Sequence, residues 1–251
     1  MSAAVHFEVV VPSFNAMPWL ETCLDSIAAQ TYPLANVTVL DDASTTEGEG
    51  DFVRRYCTNA HWRSIVQVKN MRCPYNLRAM IGRGQGRPND VVLIVDGDDW
   101  LAHNGVLDYL ASEYADPDLW LTWGSYTRWP DPTYMPNPAT AWPDDVVEAN
   151  AYRRHTYSAF NHPLAFRRHL WERISDAELQ DDDGQWFQAG YDAAIMFPMT
   201  ELAGAAHGRF LPETLYVYNE SNPISDGRAR PRECERVHDI VRARPPRQPV
   251  D

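Results

Sequence analysis

Residues 91–100 have the sequence VVLIVDGDDW, in which five apolar, β-favouring residues run directly into three carboxylates and a glycine. An uninterrupted apolar run of this length is typical of a strand buried on both faces of a sheet. Acidic groups crowded at the end of such a strand repel one another unless a cation or hydrogen-bond donors neutralise them. The stretch therefore predicts a buried strand whose carboxyl end carries a ligand site.

Asp96 and Asp98 are the candidate metal ligands, since the first and third positions of Asp96-Gly97-Asp98 can converge on one point. Gly97 would leave room for a bulky ligand to approach the backbone. Carboxylate oxygens suit a hard ion such as Mg²⁺ or Mn²⁺, which usually keeps waters and substrate phosphates in its remaining positions. Asp99 has a second interpretation, as the N-cap of the helix that follows.

Strands and helices alternate along the first half of the chain. The apolar patterns predict strands over 7–11, 37–40, 64–68 and 91–95, and helices over 20–28, 52–57, 76–81 and 106–114. This alternation indicates an α/β fold with a mainly parallel sheet covered by helices on both faces. Ligands of such sheets bind beyond the carboxyl ends of the strands, where Pro12, Asp42 and Asp96 lie.

The pattern changes in the second half. Pro and Trp dominate residues 129–143, which we predict to form a long loop. Helices are expected over 169–174 and 193–203, with a late strand over 210–218. Residues 241–251, which are rich in Arg and Pro, are expected to be a disordered tail.

Composition limits the function classes. The 251 residues include 22 basic and 35 acidic side chains, for a net charge of −13, so a nucleic-acid backbone would be repelled. The four cysteines have no metal-ligand spacing; reduced thiols are the simplest account, and a Cys57–Cys73 bridge stays open. No apolar stretch approaches a membrane span and no signal-peptide pattern begins the chain. We therefore expect a cytoplasmic enzyme with no nucleic-acid partner and no transmembrane segment.

Four motifs in this order resemble the family 2 glycosyltransferases with the GT-A fold. They are VVVPSFN at 9–15, SIAAQTYP at 26–33, LDDAS at 40–44 and VDGDD at 95–99. The resemblance implies a three-layer α/β/α, Rossmann-like fold and an inverting enzyme that moves a sugar from a nucleoside diphosphate donor to an acceptor hydroxyl. It implies one domain over 1–240, with a nucleotide-sugar-binding half (1–118) and an acceptor-binding, catalytic half (119–240).

The resemblance also assigns residues to the donor site. Asp42 would accept a hydrogen bond from the base, which is uracil in many relatives, so UDP- or dTDP-linked donors are expected. Asp96 and Asp98 would form the DXD motif, touching the ribose and the metal-bound diphosphate. The remaining residues at nucleotide-facing positions are Pro12, Phe14, Asn15, Arg72, Asn76, Arg78 and Gly97.

Asp192 occupies the position that resembles the family's catalytic base, just before an apolar helix. An inverting transfer needs one carboxylate that takes the proton from the acceptor hydroxyl as it attacks the anomeric carbon. A helix N-cap is the alternative interpretation, and the two roles are compatible. The neighbouring acidic run at 181–183 is expected to be a solvated turn before Gly184.

Three further side chains are candidates for the site. His207 lies where some related transferases recruit a third metal ligand, although a lone histidine is often structural. His162 could hydrogen-bond an acceptor or the donor sugar, or be a satisfied loop histidine. Trp100, next to the acids, could offer a flat apolar face to a sugar ring.

Two other function classes fit part of the pattern. An Asp-x-Asp phosphohydrolase would have its motif near the N-terminus with Thr or Val after it, whereas Asp99 and Trp100 follow here. A non-catalytic sugar-nucleotide-binding protein would have no need to keep Asp42, Asp96, Asp98 and Asp192 together. The chain lacks the Gln-x-x-Arg-Trp signature of processive synthases, which favours transfer of a single sugar.

Overall fold

The centre of the molecule is an eight-stranded sheet, seen in a computed structural model that describes residues 4–33, 35–82, 86–134, 140–155 and 160–250. Its order is β3-β2-β1-β4-β7-β6-β8-β5. The strands are β1 Phe7–Ser13, β2 Ala35–Asp41, β3 Trp62–Val66, β4 Val91–Ile94, β5 Trp100–Leu101, β6 Leu121–Trp129, β7 Leu164–Arg167 and β8 Gly208–Asn219. The helices are α1 Met17–Ala28, α2 Glu49–Tyr56, α3 Cys73–Ile81, α4 Val106–Glu113, α5 Asp144–Glu148, α6 Arg168–Trp171, α7 Tyr191–His207, α8 Asp226–Ala229 and α9 Pro231–Ala243.

Strand direction determines which chain segments meet. Strands β1 to β4 pair in parallel, and β6 and β8 are parallel to each other. Strand β7 is antiparallel to both β4 and β6, and β5 is antiparallel to β8. Six strands therefore run in one direction, which confirms the prediction of a mainly parallel sheet. Their carboxyl ends and the start of β7 share one edge of the sheet, called here the carboxyl edge.

Alternating side chains of the strands pack into two separate hydrophobic cores, one on each face of the sheet. Val9 and Val11 of β1 pack in a cluster with α1 and α4, whereas Val10 packs in a second cluster with α3 and α7. This period of two buries both faces of the central strands, as the apolar run at 91–95 predicts. The molecule is thus the three-layer α/β/α arrangement expected from the sequence.

The turn after β1 is held by a buried carboxylate. Glu49, at the start of α2, has no solvent-exposed surface and accepts hydrogen bonds from Ser13 Oγ (2.9 Å) and the amides of Ala16 (3.0 Å) and Met17 (3.2 Å). These are free amides at the N-terminus of α1, where Ala16 supplies no side-chain cap. Glu49 therefore fixes the turn that carries Phe14 and Asn15 to the carboxyl edge.

Several elements differ from the sequence predictions. β3 spans 62–66 rather than 64–68, and β6, β7 and α9 were not predicted. Part of the predicted 129–143 loop, residues 135–139, lies outside the described residues. None of the helices in the described part of the chain is long and apolar enough to cross a membrane.

The predicted disorder of the tail is corrected by the structure. Residues 241–243 complete α9, and the chain beyond them forms hydrogen bonds with Glu178 and with α7. The Arg247 amide donates to Glu201 Oε2 (2.9 Å), the Val250 amide donates to the Leu202 carbonyl (3.0 Å), and Arg244 donates to the Glu178 carbonyl (2.9 Å). Buried acceptors therefore order a segment that composition alone marks as disordered; residue 251 lies outside the described residues.

Candidate active site

A cleft of about 870 Å³ runs along the carboxyl edge of the sheet. It crosses the ends of β1, β2 and β4 and continues to the ends of β6 and β8. Most of the predicted site residues lie in its wall: Pro12, Phe14, Asn15, Asp42, Arg72, Asn76, Asp96, Asp98, His162 and Asp192.

Three carboxylates after β4 form the centre of the cleft. Asp96 accepts hydrogen bonds from the Tyr191 hydroxyl at 2.8 and 3.0 Å, and Asp98 accepts one from Asn222 Nδ2 at 2.7 Å. Asp99 is buried and accepts from the Tyr216 hydroxyl (2.9 Å) and the amide of Asn219 (2.7 Å). Neutral donors from α7, from β8 and from the turn after β8 thus fix the carboxylates in place without neutralising their charge.

The acid cluster carries uncompensated negative charge. Burial, reinforced by the charge of Asp98, raises the pKa of Asp96 to about 7, against the opposing effect of the Tyr191 hydrogen bond. Burial likewise raises the pKa of Asp98 and, more strongly, that of Asp99. Within the described ranges no arginine or lysine forms an ion pair with these three groups. This electrostatic environment is that of a site for a cation.

His162 completes a set of possible ligands. Single ligand atoms of Asp96, Asp99 and His162 all lie within 4.8 Å of one another. The imidazole Nε2 is 3.8 Å from Asp96 Oδ2, its ring stacks on Tyr216 at 4.7 Å, and its Nδ1 is a buried atom with no hydrogen-bond partner among the described residues. Burial lowers the pKa of His162 to about 4, so the ring is neutral, the form in which imidazole binds metal. Carboxylates with one imidazole fit Mn²⁺ or Mg²⁺.

His207, predicted as the third ligand, lies at the opposite edge of the sheet. It precedes Gly208, which pairs with Leu121; Leu121 in turn pairs with Phe166, and Phe166 with Val92, near the start of β4. Its Nδ1 is 2.6 Å from the Asp118 carbonyl oxygen and its ring stacks on Trp120 at 3.6 Å. The prediction for His207 is therefore wrong, because β8 begins, rather than ends, at this residue.

Trp100 and Arg78 also lie outside the cleft. Trp100 pairs with β8 as part of β5 and packs edge-on against Trp129 at 5.8 Å. Arg78 points away from the cleft: its guanidinium lies 4.4 Å from the Trp171 ring and binds Asp176 and the Ile174 carbonyl. The nucleotide- and sugar-facing roles predicted for these two side chains are corrected accordingly.

The structure gives Gly97 and Asp99 roles that differ from those predicted. A Cβ at Gly97 would lie 2.9 Å from Ser13 Cβ and 3.1 Å from the Pro12 carbonyl oxygen, so the glycine allows β1 and β4 to approach rather than making room for a ligand. Asp99 does not cap the next helix, since the N-cap residue of α4 is Gly105.

Asp42 lies in the cleft wall but is already engaged by the backbone. Its two carboxylate oxygens accept from the amides of Met71 (2.7 Å) and Arg72 (2.8 Å), and Arg72 has a positive φ of 72°. Each oxygen keeps a second lone pair. Asp42 thus holds the loop before α3 in place as well as lining the cleft.

Asp192 is the second residue of α7, and its N-cap position is occupied by Gly190 with a φ of 65°. The cap interpretation therefore does not hold, and the carboxylate lines the cleft. The acidic run at 181–183 forms the expected turn: Asp181 Oδ1 accepts from the amides of Asp183 (3.1 Å) and Gln185 (2.9 Å).

Arginines line the part of the cleft formed by the start of α3 and by α8 and its flanking residues. Arg72, Arg228 and Arg230 line it, and Arg72 Nε donates to Gln188 Oε1 at 2.9 Å. Burial and the nearby charge of Arg230 lower the pKa of Arg72. Asp226, which pairs with Arg230 at 3.1 Å, is a further cleft carboxylate whose pKa is raised by burial.

Four residues that hold the acid cluster were not predicted from the sequence: Tyr191, Tyr216, Asn219 and Asn222. A weak signal was present, since Tyr216 and Tyr218 alternate at the end of a predicted strand and so share one face. Their partners, more than 90 residues earlier, could not be found from this spacing.

A family model described as "Glycosyl transferase family 2" matches residues 8–174. Among curated proteins, the chain is 25% identical over 226 residues to "Uncharacterized glycosyltransferase EpsJ" of Bacillus subtilis, covering 86% of the chain and 61% of that protein. It is 30% identical over 107 residues to "Glycosyltransferase GlyA" of Streptococcus pneumoniae, covering 42% of the chain and 14% of that protein.

Solved structures share the fold. S. aureus TarS 1–349 in complex with UDP-GlcNAc has a TM-score of 0.66 at 16% identity, covering 94% of this chain and 65% of that one. Mannosyltransferase PcManGT from Pyrobaculum calidifontis, in complex with GDP-Man and Mn²⁺, has a TM-score of 0.58 at 22% identity, covering 86% and 57%. These likenesses confirm the GT-A fold. The chain spans less than two thirds of the length of each of these four proteins.

Proposed function

This chain belongs to glycosyl transferase family 2, and we propose that it is a metal-dependent, inverting glycosyltransferase that moves one sugar from a nucleoside diphosphate donor to an acceptor hydroxyl. The observation that carries the proposal is the convergence of Asp96, Asp98 and Asp99 with His162 and Asp192 in a single cleft. A cluster of buried acids needs a cation, and a free carboxylate beside it is what an inverting transfer needs as a base.

The donor lies, in this proposal, with its nucleoside toward the ends of β1 and β2. Phe14 and Pro12 supply apolar surface there, and Asp42 uses a remaining lone pair to accept the N3–H of uracil or thymine. The neighbour TarS, with UDP-GlcNAc bound, supports a UDP-linked donor. PcManGT, with GDP-Man bound, has the same fold, so the identity of the donor's nucleobase has to be tested by experiment.

Asp96 and Asp98 would hold the cation as predicted, and His162, whose ligand atom lies within 4.8 Å of those of Asp96 and Asp99, would take the role predicted for His207. When bound, Mn²⁺ or Mg²⁺ would stabilise the negative charge of the departing diphosphate. Arg72 lines the same cleft and would add positive charge for that diphosphate, whereas the charge of Arg230 is offset by Asp226.

Asp192 is proposed as the general base. Its carboxylate takes the proton of the acceptor hydroxyl while that oxygen forms a bond to the anomeric carbon and the bond to the diphosphate breaks. Attack on the face opposite the leaving group inverts the configuration. Asp226 is the second candidate, because its carboxyl group also lines the cleft and burial raises its pKa.

Release of nucleoside diphosphate tests the proposal. We expect the chain to release UDP from a panel of UDP-sugars with Mn²⁺ or Mg²⁺ and to stop when EDTA is in excess. Asp98→Ala should abolish the release without unfolding the protein. Activity that is undiminished in EDTA would contradict metal dependence.

The same assay separates the two other function classes. Metal-dependent binding of UDP-sugars with no turnover, across a broad acceptor panel, would favour a non-catalytic binding protein. Release of inorganic phosphate from a phosphomonoester, with sugar nucleotides left intact, would favour a phosphohydrolase.

A further inference from the structure

The far end of the cleft is a wall of aromatic and charged side chains. We call it the β6–β8 wall and define it by Tyr126, Arg128, Tyr134, Tyr218 and Glu220. Tyr126, Arg128, Tyr218 and Glu220 line the cleft, and Tyr134 lies beside Arg128 with 54% of its surface exposed. None of these side chains belongs to the proposed donor or base machinery.

The pairing of β6 with β8 brings the residues of the β6–β8 wall together. Tyr126 pairs with Tyr216 and Arg128 with Tyr218 in the parallel β6–β8 register. Since side chains alternate along a strand, Tyr126, Arg128 and Tyr218 share one face, while Trp129 points to the other. The Tyr126 and Tyr218 rings meet edge-on at 6.0 Å.

Arg128 is fixed by its neighbours. Its guanidinium lies 5.6 Å from the Tyr126 ring, 5.4 Å from Tyr134 and 5.7 Å from Tyr218, and it forms an ion pair with Glu220. Contacts with three rings and a carboxylate restrict the rotamers of a long side chain. The pair brings no net charge to the wall.

We propose that the β6–β8 wall is the acceptor subsite and that the acceptor is a neutral saccharide. This inference rests on the proposed function. A sugar ring would stack on the exposed face of Tyr134. Its hydroxyls would donate to the Glu220 carboxylate and accept from the Arg128 guanidinium.

The chemistry of the wall selects this class of acceptor. A sugar hydroxyl is both donor and acceptor, so adjacent hydroxyls are satisfied by a carboxylate and a guanidinium held side by side. Tyrosine offers a rigid apolar face with little entropy to lose. An acceptor with a phosphate or carboxylate group would meet Glu220 and gain no net positive charge, so the neutral pair disfavours it.

The position of the wall also fits an acceptor. The His162 ring, 3.8 Å from Asp96, stacks on Tyr216 at 4.7 Å and lies 6.4 Å from Tyr218. The wall is thus adjacent to the acid cluster, where the diphosphate would leave. The nucleoside residues Phe14 and Asp42 lie at the ends of β1 and β2, several strands away in the sheet.

The test compares two substitutions at one exposed ring, so folding is not at risk. Binding of neutral methyl glycosides and β-linked disaccharides is followed by saturation-transfer NMR with Mg²⁺ and UDP present, and UDP binding by calorimetry. We expect Tyr134→Ala to weaken saccharide binding about tenfold, the scale of a lost aromatic contact. Tyr134→Phe keeps the stacking face and should bind as the wild type. Glu220→Gln should also weaken binding, and UDP affinity should stay unchanged in all three variants.

The other outcomes would refute either this inference or the proposed function, and the two cases can be told apart. If UDP binds and no saccharide does, or if Tyr134→Ala leaves saccharide binding intact, the acceptor subsite is elsewhere while the proposed function stands. Loss of UDP affinity in Tyr134→Ala would assign the wall to the donor. Preference for phosphorylated over neutral glycosides would refute the acceptor class. Failure of UDP to bind the wild type at all would instead refute the proposed function.

Discussion

Asp192 is the residue on which the chemistry depends most directly. Asp192→Asn keeps the size of the side chain in the first turn of α7 but removes its basicity, so transfer should fall by roughly a hundredfold or more. The melting temperature should change little, because Gly190 and not Asp192 occupies the cap position. Initial rates at saturating donor measure the loss.

A matched control for Asp192 is Asp181→Asn. Asp181 lies outside the cleft lining, and an asparagine at this position can still accept from the amides of the turn. Its transfer rate should therefore equal that of the wild type. Near-native transfer by Asp192→Asn would show that Asp192 is not the general base. Asp226→Asn would then test the second candidate.

The preference of Asp42 for one nucleobase is better tested by changing the nucleotide than by changing the protein. Removing the carboxylate would also release the amides of Met71 and Arg72, so an alanine variant confounds recognition with loop structure. UDP should bind more tightly than CDP, whose N3 is an acceptor, and more tightly than 3-methyl-UDP, which has no N3–H. Equal affinities of the three nucleotides in calorimetry would rule out the hydrogen bond to Asp42.

Individual site residues were predictable where the chemistry is local. Asp42, Asp96 and Asp98 each follow a strand directly, so the strand pattern alone placed them at the carboxyl edge. His162 and His207 show the limit of this approach. Their positions depend on β7 and β8, whose directions come from pairing with strands far along the chain. Both histidines look alike in sequence, and tertiary pairing brings only His162 to Asp96.

At the level of elements, Glu49 is expected to hold the β1–α1 turn. Glu49→Ala would leave Ser13 Oγ and the amides of Ala16 and Met17 without their buried acceptor. The free energy of unfolding should fall by about 3 kcal/mol, since each buried donor left unsatisfied costs about 1–3 kcal/mol. Urea denaturation measures the change. Glu47→Ala, at an exposed position two residues earlier, should leave stability within about 0.5 kcal/mol of the wild type.

The two halves of the sheet were not equally predictable. Strands β1, β2 and β4 alternate with helices, and each strand–helix unit carries its own apolar period, so the strands and their parallel direction could be predicted from the sequence. β7 has four residues and enters between β4 and β6, which no local pattern indicates. α9 was missed because its apolar positions, Val237 and Val241, are few among charged residues.

At the scale of the whole molecule, one continuous sheet joins residues from both sides of position 118. We therefore propose a single domain in which the boundary between donor and acceptor halves falls within the sheet. The cleft shares the negative charge of the chain, since its described lining holds seven carboxylate side chains and four arginines, so a bound cation would offset the repulsion of an anionic donor. A cytoplasmic location stays a prediction.

Global stability should report the coupling between cation and nucleotide. If Mn²⁺ and UDP bind the folded chain and not the unfolded one, as the proposed function requires, UDP at about 100 times its dissociation constant should add about 2.7 kcal/mol of stability. For a chain of 251 residues this corresponds to a rise in melting temperature of about 5–10 °C. Because the acid cluster needs a cation before it can tolerate a diphosphate, UDP in EDTA should give little of that rise. Asp98→Asn should also reduce it, whereas Asp181→Asn should keep it. A UDP shift of the same size with and without Mn²⁺ would show that the nucleotide binds independently of the acid cluster.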